Sequence, residues 1–165
     1  MAIAVRLEDI VNAMEIPDHW QAYLDPETGE VVTVTDEDEM LLEKEDLGTD
    51  DLPEWQRESL ESIRAILDSG RALALPDAFD IHEWDLMRRF AYLVEDPDQS
   101  AELLNAIHGR GAFRLFKMTT DRMGLREEWY RFRDEAVRQI ARDWLMAHDI
   151  PFEEGKSREP GPRAP

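Results

Sequence analysis

Hydrophobic residues recur along this chain at spacings that change with position, and the changes mark out its elements. In "VRLEDIVNAME" (residues 5–15), Leu7, Ile10, Val11 and Met14 fall at helical spacing, and Pro17 ends the run. The period then drops to two. Trp20, Ala22 and Leu24 alternate with Gln21 and Tyr23, and Asp25-Pro26-Glu27-Thr28-Gly29 supplies a turn. Val31 to Val34 forms a β-branched return strand, so the segment predicts a β-hairpin.

Helical spacing then returns. Residues 36–54 hold ten acids and one Lys, and their Glu, Leu and Met content predicts a short helix over about 37–45 with Gly48 near its end. Pro53 suits the first turn of a helix over about 53–69, with Trp55, Leu60, Ile63, Ile66 and Leu67 as apolar positions and Ser69-Gly70 as its stop. "RALALP" (71–76) is a short apolar run between Gly and Pro and predicts a third strand. Asp80 precedes Glu83 by three residues, a capping-box spacing, ahead of a stripe of Ile81, Trp84, Met87, Phe90, Leu93 and Val94. Asp98 is placed to cap a helix over about 99–108, and another helix follows over about 112–122. A long last helix over about 125–148 would bury Trp129, Phe132, Ala136, Val137, Ile140, Trp144 and Leu145.

The pattern is α+β: an N-terminal helix and β-hairpin with a third strand, an antiparallel patch of three strands at most, then a mainly helical C-terminal half. Successive helices after residue 76 exclude a doubly wound α/β sheet. Residues 1–152 are expected to form a single domain, and the Pro/Gly/charge-rich residues 153–165 a disordered tail.

Composition narrows the chemistry. The chain has no cysteine, which removes disulfides, thiolate nucleophiles and Cys-based zinc sites. The first twenty residues lack the basic and then continuously apolar stretches of a signal peptide, and no apolar run approaches the roughly 20 residues of a membrane span. A cytoplasmic protein without a membrane partner is expected.

Charge changes the picture more. The formal net charge is −19, with 27 Asp/Glu against 7 Lys/Arg in residues 1–100 and 11 against 12 in residues 101–165. Nucleic acid and anionic membranes repel such a chain on average, so only a locally segregated basic surface could bind either. "HGRGAFRLFKMTTDRMG" (108–124) is the candidate. Gly109 suits the left-handed closure of one helix and Gly111 a tight reversal into the next, whose N-terminus beside Arg110 could meet an anion. Arg110, Arg114 and Lys117 are related by i+4 and i+3, while Phe113 and Phe116 are expected to enter the core. Arg131, Arg138 and Arg142 share a side of the last helix, with Glu127 and Asp134 four residues ahead of Arg131 and Arg138. These six cations are the candidate anion-binding residues. The competing reading makes them a salt-bridged surface, or pairs them with the acidic segment 36–54.

Metal and catalytic patterns are absent from the sequence. An EF-hand beginning at Asp36 would need Gly and Glu where Leu41 and Leu47 stand. His19, His82, His108 and His148 form no HExxH and no i,i+4 pair, and there is no Walker A loop, GxGxxG or GxSxG. No catalytic residue, metal set or cofactor is therefore assigned.

"GRGAFRLFK" followed by "GLREEWYRFRDEAVRQIARDWL" resembles the C-terminal signature of an uncharacterised bacterial protein family, number 0158 in the UPF series. "YLDPETGEVV" and "RALALPDAFDIHEWDLMRRFA" are similar to the same family's pattern, so the resemblance spans roughly residues 5–152. It implies a small bacterial cytoplasmic protein and transfers no functional residue. Three functions are expected, in this order: a non-catalytic interaction or regulatory protein docking a protein partner; a weak nucleic-acid-associated protein using segment 110–142; an enzyme of unknown chemistry.

Overall fold

The computed structural model describes residues 4–17, 19–43 and 52–154. In order, the elements are β1 (Val5–Arg6), α1 (Leu7–Met14), β2 (Gln21–Leu24), β3 (Val31–Val34), α2 (Asp36–Glu43), α3 (Glu54–Asp68) and β4 (Leu73–Ala74). There follow α4 (Ala78–Ile81), α5 (Glu83–Leu93), α6 (Pro97–Ala106), α7 (Ala112–Arg122), α8 (Arg126–Ala147) and β5 (Phe152–Glu153). The fold is α+β with a mainly helical C-terminal half. Its contacts gather into two compact units, one within Met1–Asp77 and Ala141–Pro165, the other Ala78–Ile140. They subdivide the stretch expected to form one domain.

In the first unit β2 pairs antiparallel with β3 from Gln21↔Val34 to Leu24↔Val31, and β4 lies antiparallel on the other edge of β2. The period-two pattern is realised: Ala22, Leu24, Val32 and Val34 are buried. Val32 and Val34 pack with Ile63 and Ile66 of α3 in one cluster, and Leu7, Ile10, Val11 and Met14 of α1 are all buried. The hairpin turn is locked by an ion pair. The Asp25 side chain, 4% exposed, accepts the Glu27 N–H at 2.9 Å and Arg71 Nη2 at 3.2 Å, while Arg71 Nη1 meets Glu27 at 2.8 Å. The Arg71 hydrogen bond holds the Asp25 carboxyl below its ordinary pKa, against the opposing effect of desolvation.

Five expectations need correction here. The first helix starts at Leu7, because Val5 and Arg6 pair in parallel with Phe152 and Glu153, a second sheet beyond the three-stranded patch. Secondary structure thus continues past residue 152, while 155–165 lie outside the described residues. The acidic helix starts at Asp36, immediately after Thr35, which caps it reciprocally: the Thr35 N–H donates to Asp38 Oδ2 and the Asp38 N–H to Thr35 Oγ1. Gly48, its expected end, lies outside the described residues. On α3, Trp55 and Leu67 are exposed and Gln56 is buried instead, its Nε2 donating to Glu37 Oε1 at 3.2 Å. Trp55 lies in the first turn of α3, at the rim of the arc of Gln56, Leu60, Ile63 and Ile66. Trp144 is half-buried rather than a core anchor, and its ring lies 4.6 Å from that of His148.

The second unit is built on aromatic rings. Phe116 of α7 and Trp129 of α8 meet edge-to-face at 4.9 Å, and Phe90 of α5 lies 5.5 Å from Trp129 and 5.7 Å from Phe132. Arg133 of α8 reaches Glu83 of α5 in a two-pronged contact, Nε–Oε1 2.7 Å and Nη2–Oε2 3.0 Å, with side chains only 22% and 26% exposed. The expected Asp80–Glu83 box does not open the helix: Asp80 lies within α4, and a left-handed residue, His82 (φ 52°), separates α4 from α5. Leu86 and Ala91 fill the buried arc of α5, and Leu93 is exposed. The cap of α6 is Asp96, not Asp98: its carboxylate accepts the N–H groups of Asp98 and Gln99, with Pro97 in the first helical position.

Candidate docking surface

The turn entering α7 is made by glycines. α6 ends at Ala106, and Gly109 (φ 95°) and Gly111 (φ 75°) both take left-handed conformations that cost other residues about 1–2 kcal/mol. The Gly111 carbonyl accepts the Leu115 N–H at 2.9 Å, which starts the helix. Ala112, Phe116, Thr119 and Thr120 form the buried side of α7. Both threonine hydroxyls donate back to their own helix, to the Leu115 carbonyl at 2.7 Å and the Lys117 carbonyl at 2.9 Å, so the inner side needs no outside polar partner.

The opposite side carries Arg114, Lys117 and Met118 (58% exposed), flanked by Phe113 (50%) and Leu115 (47%), with Arg110 just before the helix. Phe113 was expected in the core. The buried arc runs through 112, 116, 119 and 120, which leaves position 113 at its rim. Among the described residues Arg110, Arg114 and Lys117 have no carboxylate partner. Neighbouring Arg122 pairs with Glu102, and Arg126 lies 3.8 Å from Asp121 and over the Tyr130 ring at 5.7 Å. No acid occupies the first turn of α7, whereas every other described helix carries at least one there.

The six candidate cations therefore divide. Arg110, Arg114 and Lys117 come together around α7. Arg131 is exposed on α8 and among the described residues lacks a carboxylate partner, whereas Arg138 is half-buried and engaged. Arg142 belongs to the first unit and is committed there, with Nη2 and Nε both 2.6 Å from Glu154 Oε1. The helical wheel identified their shared side but not their partners.

Two features went unread in the sequence. One is the apolar content of the α7 surface, legible in the i,i+3 spacing of Leu115 and Met118. The other is an exposed stripe on α2, announced by the Thr35–Asp38 cap spacing. Elsewhere the side chains offer little chemistry. A shallow cavity of about 320 Å³ in the first unit is lined by Leu42, Arg64, Leu67 and Asp68. Among the described residues no three His, Asp or Glu side chains gather as metal ligands would, and no helix is long and apolar enough to cross a membrane.

Residues 3–162 match the profile of an uncharacterised protein family, UPF0158. The chain belongs to this family. Over 66 residues it is 39% identical to the UPF0158 protein PA5073 of Pseudomonas aeruginosa, a stretch covering 39% of this chain and 43% of that relative. The aligned part thus spans less than half of the relative's length. No solved structure matches the chain.

Proposed function

We propose that this protein is a non-catalytic interaction module of the bacterial cytoplasm, and that it docks an acidic protein partner on the outer side of α7. One observation carries the proposal: three cations without carboxylate partners among the described residues stand beside exposed Phe113, Leu115 and Met118. A phosphate backbone would use the cations alone. A protein surface uses both, because Phe, Met and Arg are the residue types that interface centres concentrate. The cations speed encounter and fix orientation, while the apolar side chains supply burial. A net charge of −19 opposes any extended contact with nucleic acid.

Capture from native extract, with and without nuclease, tests this using wild type and an Arg114→Glu/Lys117→Glu variant. Wild type should retain a protein through nuclease treatment and the variant should lose it. Retention abolished by nuclease would transfer the surface to nucleic acid. Equal capture by both proteins would remove α7 from the interaction.

A further inference from the structure

The occupant of this surface can be named from charge. The second unit carries 12 Asp/Glu against 10 Lys/Arg, and the rest of the chain carries 26 against 9. Within the first unit, α2 presents Asp36, Glu39, Met40 and Glu43 at spacings i, i+3, i+4 and i+7, a single stripe along its length. All four are exposed, Met40 by 60%. Among the described residues Asp36 has one cationic partner, His19 at 3.3 Å, and Glu39 and Glu43 have none.

At α7 the corresponding residues are Arg114, Lys117 and Met118, at i, i+3 and i+4 on one side of the helix, with Arg110 in the turn just before it. Each surface carries three charges of one sign and one exposed methionine, the acidic one along about 10 Å of helix. Each offers what the other lacks. We propose that the acidic stripe of α2 in a second copy of this chain docks on the outer side of α7. This inference rests on the docking role proposed above and identifies the partner as the protein itself.

Exposed ion pairs contribute little net free energy each, so the association is weak and depends on the methionines and Phe113 being covered together. It is also sensitive to salt, because the Debye length shrinks from about 30 Å at 0.01 M to about 3 Å at 1 M.

Sedimentation of the full chain over a range of concentrations tests the proposal. At low ionic strength the mass should rise above that of a monomer with concentration, and high salt should return it to the monomer. Arg114→Glu/Lys117→Glu and Glu39→Lys/Glu43→Lys should each be monomeric, since each sets like charges against like. Their equimolar mixture should associate again, because every reversed stripe then meets its complement. Neutral variants, Arg114→Gln/Lys117→Gln and Glu39→Gln/Glu43→Gln, should weaken association tenfold or more, and they serve where a reversal does not fold. A wild type that stays monomeric at low salt overturns the self-docking. If that monomer still captures another protein through α7, the docking role stands and only the second copy fails. Association that ignores the reversals, or a mixture that stays monomeric, also overturns it.

Discussion

Arg114 and Arg133 are the same residue type nineteen positions apart, yet the fold treats them as opposites. Arg133 lies along Glu83 with both prongs of its guanidinium engaged and most of its surface covered. Arg114 stands exposed on α7 with no carboxylate partner among the described residues. Acids outnumber bases 38 to 19, so an unpartnered cation is the outcome that chance arrangement would least often produce. Among the described residues Arg110, Arg114 and Lys117 have no carboxylate partner, and the first turn of α7 carries no acid. The contrast separates an arginine that holds the fold from cations that the described structure leaves exposed.

The largest predicted effect lies beneath both sites. Trp129 is buried against Phe116 on the inner side of α7 and against Phe90 on α5. Trp129→Ala should cost roughly 3–5 kcal/mol in chemical denaturation. Trp129→Phe should cost much less, because the indole Nε1–H is buried with no acceptor and its removal relieves that penalty. Phe113→Ala, on the outer side, should be close to neutral. A neutral Trp129→Ala would erase the distinction between the two sides of α7.

Next comes the clamp itself. Arg133→Ala removes charge-assisted hydrogen bonds and leaves the largely covered Glu83 carboxylate alone, which should cost about 2 kcal/mol. Arg114→Ala should stay within about 0.5 kcal/mol, as surface changes away from such features do. Equal costs for the two substitutions would mean that Arg114 is also a structural residue.

Arg71 repeats the clamp in the first unit, and pH reads it. Asp25 has a folded-state pKa below its unfolded value of 3.8, principally through Arg71. Its stabilising contribution is therefore complete above that unfolded value and disappears as pH falls through the lower folded one. Melting temperatures of wild type should accordingly drop on acidification below about pH 4, and Asp25→Asn should flatten that part of the profile. Arg114→Ala should leave the profile unchanged. An acid limb identical in wild type and Asp25→Asn would show that other carboxylates control it.

Much of this was legible in the sequence where the physics is local. Alternation placed Ala22, Leu24, Val32 and Val34 inward, and the GRG turn was read correctly because only glycine adopts its two left-handed positions cheaply. What escaped was non-local or finely balanced. Val5 pairs with Phe152 across nearly the whole chain, and two-residue strands leave no period to detect. Asp98 is the cap expected from sequence, but Asp96 two residues earlier takes the role, with Pro97 in the first helical position. Trp55, Leu93 and Phe113 lie at the rims of apolar arcs, where the packed neighbour decides which residues are covered. For the six cations, the helical wheel gave a side but no partner: Arg142 is claimed by Glu154, twelve residues on and beyond the end of its helix.

The smallest predicted effect is the most exacting test of the contrast. Arg114→Glu/Lys117→Glu should change unfolding free energy by no more than about 0.5 kcal/mol, because no ion pair is lost. Two lesser terms nearly cancel. A carboxylate at position 114 sits in the first turn of α7, where the helix dipole favours it by about 0.3–1 kcal/mol. A carboxylate at position 117 stands four residues before Asp121 on the same helix, a like-charge spacing that costs about 0.2–0.5 kcal/mol. Salt screens both, so the melting midpoint should match that of wild type at high ionic strength and differ by only a degree or two at low. Charge reversal at a structural pair would behave differently, losing the partner and adding repulsion at once. A loss well above 1 kcal/mol that persists at high salt would therefore place Arg114 and Lys117 beside Arg133, as residues that hold the fold.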